Sequence, residues 1–138
     1  MDLETLVVKY VGAVVLYEEN LRNMKSEKDK VQLKSYEMQK NEAYKFYIDR
    51  LCIASMDEIN SLRQFLTNEI NSLYIEVQKI IEYKCRLYQE TVNNELKNSQ
   101  KELTFCDNLL KEKLNLLAKY ENISTALMPI QKEKKYTK

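Results

Sequence analysis

The side chains able to do chemistry in this sequence are three cysteines, ten tyrosines and many carboxylates. The thiols are Cys52, Cys85 and Cys106. A nucleophilic thiol needs a base beside it, and the chain contains no histidine to serve as one. Zinc without histidine needs four cysteines, and no Cys-x-x-Cys spacing occurs. Di-iron bundles need Glu-x-x-His, which is likewise missing. The one glycine, Gly12, cannot make the Gly-rich loops that cradle phosphates. The carboxylates lie interleaved with lysines, as on solvated helix faces. These patterns predict a protein that is not an enzyme, with no metal and no cofactor, and with free thiols in a reducing compartment. Asn122-Ile123-Ser124 matches a glycosylation acceptor but stands among no secretory features.

The tyrosines point elsewhere. Tyr10, Tyr17, Tyr44, Tyr83 and Tyr120 lie on or beside an apolar seam, where the ring packs and the hydroxyl reaches the rim. Tyrosine in that position suits a protein interface as well as the edge of a thin core.

The elements that must carry these rings are long helices. One glycine and one proline, Pro129, in 138 residues leave few places for a tight reversal. Apolar residues make up 44% and charged residues 31%, with mean hydropathy −0.55. Such a chain is too apolar for disorder and too polar for a large spherical core. Net charge is +1, from 22 basic and 21 acidic residues, so no broad positive face for nucleic acid is expected. No apolar run is long enough to span a bilayer. Leu6 to Tyr17 is apolar, but Asp2 and Glu4 stand where a signal peptide carries basic residues, and Lys9 interrupts the run. The chain reads as mature structure in the cytosol or nucleus, not secreted.

Steps of three and four along the N-terminal segment, 1–54, give Val7, Tyr10, Val14, Tyr17, Leu21, Met24, Lys28, Val31, Ser35 and Met38. That alternation is the seam of a coiled coil. From Glu18 to Glu42 close to half the residues are charged, which predicts a projecting rod. A central helix, 55–92, continues the seam through Leu62, Leu66, Ile70, Leu73, Val77 and Ile80, with a stutter at Leu62, Leu66 and Ile70. Ser55-Met56-Asp57-Glu58 has the capping-box form and marks a candidate break. In the segment 93–128, Leu96, Leu103, Leu110 and Leu117 fall at intervals of seven, flanked by Leu109, Leu116 and Ile123. So broad a face suits a bundle of three or four helices. The polar stretch around Asn93 is the other place for a fold-back. Pro129 is expected to end the last helix, and 129–138 to be a disordered basic tail. Its Lys132, Lys134, Lys135 and Lys138 suit an acidic surface.

A single amphipathic helix from 3 to 127 would be about 190 Å long at ~1.5 Å per residue, and unstable alone. Its stripe must meet a hairpin partner or another chain. Short turns between antiparallel helices usually use glycine, so the expectation is all-α, with long amphipathic helices forming an extended coiled coil or helical bundle with partner chains. The partner-helix interface is expected at Val7, Tyr10, Val14, Tyr17, Leu21 and Met24. It continues at Leu62 to Ile80 and at Leu96 to Leu117. The expected role is a non-enzymatic subunit of a hetero-oligomeric assembly, associated with microtubules, the spindle or the kinetochore in cell division. The alternatives are a membrane-trafficking tether or SNARE-like helix, and a homo-oligomeric helical adaptor. Membrane binding and nucleic acid are not expected.

Overall fold

Three short polar side chains start helices. Asp2 accepts a hydrogen bond from the Thr5 amide at 2.8 Å and opens α1, Leu3–Arg22. Ser26 and Asp29 form a capping box that opens α2, Glu27–Cys52. Ser55 accepts from the Glu58 amide at 3.2 Å, and the Glu58 carboxylate accepts in return from the Ser55 amide, opening α3, Met56–Thr91. α4 spans Leu96–Tyr136. The computed structural model describes residues 1–91 and 96–136, with side chains at 1–90 and 100–132. Among the described residues the protein is all-α, with four helices packing in pairs.

The N-terminal segment is therefore two helices and not one rod. Asn23 ends α1 at φ −95°, ψ 5°, and Ser26 resumes in extended backbone at φ −138°, ψ 168°. Ile53 ends α2 in the same way, at φ −101°, ψ 3°. No described residue has a positive φ. A residue near ψ 0° followed by an extended cap reverses the chain in the right-handed half of conformational space, where any side chain is allowed. The scarcity of glycine thus does not prevent hairpins. The seam projected beyond Met24 is lost with this turn: Val31 and Met38 are each 71% exposed.

The chain divides into two compact units, Met1–Phe65 with Ala126–Lys138, and Leu66–Thr125. In the first, α1 and α2 run antiparallel, with the Tyr10 and Tyr44 rings 5.1 Å apart and the Lys40 ammonium 4.4 Å above the Tyr17 ring. Leu3, Val7, Val11, Tyr47, Leu51, Ile59, Leu62 and Leu127 form its core. In the second, α3 and α4 run antiparallel: Tyr74 bonds Glu121, Glu76 pairs with Lys113, and Lys84 pairs with Asp107. Leu66, Leu73, Val77, Leu87, Cys106, Leu117 and Tyr120 are buried there. Among the described residues no charged side chain is buried. Removing each such large apolar side chain from water stabilises by about 1.5–3 kcal/mol, and that term carries the fold.

Pro129 does not end α4, which runs on to Tyr136. A proline inside a helix removes one backbone bond and crowds the preceding turn. The residues on either side of this proline make tertiary contacts. Gln131 donates to Asn60 Oδ1 at 2.6 Å and accepts from Arg63 at 3.1 Å, and Leu127 is 1% exposed. The helical portion of 129–138 is thus a correction to the disordered tail expected there. The fold-back expected near Asn93 falls largely on 92–95, outside the described residues.

Candidate interaction surfaces

Cys52 and Cys85 are exposed and Cys106 is buried, and none of them is in a disulfide. Among the described residues no cluster of cysteine and carboxylate side chains is placed to hold a metal. The shifted ionisations have packing causes. The Tyr74 hydroxyl donates to Glu121 Oε1 at 2.7 Å, which holds its proton and raises its pKa. The charge of Glu102 raises Tyr83, whose hydroxyl donates to that carboxylate. Lys84 is raised by its hydrogen bond to Asp107.

The residues expected to meet a partner helix divide by burial. Val7, Leu62, Leu66, Leu73, Val77 and Leu117 are buried within the chain. Tyr10, Val14, Tyr17, Met24, Ile70, Ile80, Leu103 and Leu110 are half-buried, and Leu21 is exposed. Lys132 is exposed, while the side chains of Leu96, Lys134, Lys135 and Lys138 lie outside those described.

Two exposed apolar surfaces are not among those residues. The first is on α3 in the second unit. Tyr74, Gln78, Ile81, Cys85 and Tyr88 alternate by four and three, a heptad seam of its own. It lies one residue on from the buried Leu73, Val77 and Leu87, and so about 100° round the helix. Tyr74, Ile81 and Tyr88 are 52%, 41% and 53% exposed. Because Tyr74 reaches Glu121, this seam shares a side of the pair with Leu114, one heptad before Glu121 and also exposed. The signal in the sequence is the run of adjacent apolar pairs, Leu73-Tyr74, Ile80-Ile81 and Leu87-Tyr88, which a single-seam reading assigns to one stripe.

The second surface is an open groove of about 520 Å³ between α1 and α2, in the first unit. Met1, Leu6, Ala43 and Phe46 line it, and Met1 and Phe46 are exposed. Lys9 stands on the α1 wall and Glu42 on the α2 wall. Arg50 also lines it, but its guanidinium is held by Glu58. Phe46-Tyr47 repeats the adjacent-pair signal, with Tyr47 turned inward and Phe46 outward.

No described helix is long and apolar enough to cross a membrane. No family model matches the chain, and no curated protein or solved structure matches it.

Proposed function

We propose that this chain is a non-enzymatic helical subunit of a hetero-oligomeric assembly, and that the exposed seam of α3 receives a helix from a different subunit. The observation that carries this reading is the second heptad seam, Tyr74, Ile81 and Tyr88, left exposed after the first has been buried against α4. A heptad-spaced strip of exposed apolar side chains suits an interaction site, and tyrosine is enriched at such sites. Its periodicity suits a helix as occupant. Gln78 and Cys85 alternate with the large side chains, and polar residues at seam positions weaken self-pairing and select a particular partner. The assembly belongs among the microtubule-, spindle- or kinetochore-associated complexes of cell division, with the chain in the cytoplasm. That placement rests on the architecture shared by small helical subunits of such rods, which is analogy rather than site chemistry.

The test is affinity purification of the tagged chain from its native cells, with stoichiometry read by mass spectrometry. Several different helical proteins in fixed ratio are expected, lost on Ile81→Asp and retained on Val31→Asp. Recovery of the chain alone overturns the reading. Flotation of the purified assembly with anionic vesicles, without co-sedimentation on microtubules, replaces the cytoskeletal placement with a membrane tether.

A further inference from the structure

We propose that two copies of this chain pair through the groove between α1 and α2, Phe46 of each copy entering the groove of the other. This contact is separate from the α3 seam and does not rest on the role assigned to it. The groove carries both halves of a complementary pair. Phe46 is 55% exposed and lines the groove together with the buried Leu6 and the small Ala43. Lys9 and Glu42 stand on opposite walls, and among the described residues neither is bonded to another side chain. Arg50, by contrast, is already paired with Glu58.

In an isologous contact, residue i of one copy meets residue j of the other, and j meets i. A two-fold axis running along the helix pair lays α1 of one copy over α2 of the other, antiparallel. It brings each Lys9 to the partner copy's Glu42 and each Phe46 to the partner copy's groove. A two-fold axis across the helices sets α1 on α1 and Lys9 against Lys9, so the charges select the first arrangement. The net charge of +1 offers little long-range repulsion between copies.

Two differently tagged full-length copies are co-expressed in a host lacking the native partners, and one is captured to ask whether it brings the other. Wild type is expected to do so. Phe46→Asp, Lys9→Glu in both copies, or Glu42→Lys in both copies should each cut recovery by about tenfold, corresponding to ~1.4 kcal/mol. Lys9→Glu on one copy with Glu42→Lys on the other restores opposite charges at both contacts and should restore recovery. Circular dichroism checks that every variant keeps its helicity, and Phe105→Asp, on an exposed position of α4, should leave recovery unchanged. No recovery of wild type, recovery indifferent to Phe46→Asp, or failure of the mixed charge pair to rescue each overturns the proposal.

Discussion

Arg50, in the last turn of α2, holds the carboxylate of Glu58, the residue that closes the capping box at the start of α3. One acidic side chain thus ties the end of one helix to the beginning of the next. The Ser55 amide, and then Arg50, lower the Glu58 pKa from its ordinary 4.5. A lowered folded value means the stabilisation is complete above pH 4.5 and is lost as the pH falls below that toward the folded value. Glu58→Gln, which keeps an acceptor but cannot titrate, should flatten the fall in melting temperature between pH 6 and pH 3. Ser55→Ala should cost about 1 kcal/mol at neutral pH, as loss of an N-cap does. An acid profile of Glu58→Gln identical to wild type would show that the carboxylate does not work this way.

Tyr47 makes the opposite prediction at high pH. Burial, and then the neighbouring Tyr44 and Tyr10, push its phenol up to about 12 from 10.0. The folded state therefore prefers the neutral phenol. Stability is complete below pH 10 and is lost as the pH climbs through 10 toward 12, where the unfolded chain ionises and the folded one resists. Absorbance of tyrosinate should show several phenols titrating above the ordinary range, Tyr47 among them at about 12. Tyr47→Phe should delete that one and make stability flatter over that range.

What could be read from the sequence follows from which signals are local and repeated. The helical class and the α3 seam were legible because Ile59, Leu62, Leu66, Leu73 and Val77 recur over many turns, and all five are buried. The turn at 23–26 was not, because its signal is a single residue spacing. Ser26 with Asp29 is the same reciprocal cap as Ser55 with Glu58, built with the shorter acid. Past Pro129, Gln131 meets Asn60 and Arg63, residues far away in sequence that no local pattern connects. The exposed seam and the groove were hidden for a third reason. Each stands one residue from a buried position, so both read as a single wide stripe until the helices are paired.

That distinction separates two leucines of similar appearance in the sequence. Leu66 and Leu21 both fall on seam positions, yet Leu66 is 0% exposed and Leu21 is 45% exposed. Leu66→Ala should cost about 2–5 kcal/mol by urea denaturation, the price of a cavity plus lost burial. Leu21→Ala in the isolated chain should stay within about 0.5 kcal/mol of wild type. Equal costs would mean that the α1 seam is packed after all.

Pro129 tests whether contacts or propensity hold the end of α4. Alanine at this position restores a backbone donor to the preceding turn and removes the crowding of the ring. If the contacts of Leu127 and Gln131 merely tolerate proline, Pro129→Ala should raise stability, by up to about 3 kcal/mol, and increase helical ellipticity. A loss of stability would instead show that the backbone proline imposes is what brings Gln131 to Asn60.

Gly12 gives the cleanest case, because nothing in its surroundings requires a glycine. It lies in the middle of α1, its φ is not positive, and a Cβ built on it meets no atom within 4 Å. Its cost is therefore one of conformational freedom in the unfolded chain. Gly12→Ala should stabilise the protein by about 0.4–1 kcal/mol, read as a higher urea midpoint with an unchanged slope. The same substitution also reports on the surface beside it. Gly12 is one turn beyond Lys9 on α1, at the margin of the face proposed to meet a second copy. If the methyl group raises the stability of the chain but weakens capture of one tagged copy by another, the interface extends to this turn. If it leaves capture unchanged, the contact ends at Lys9.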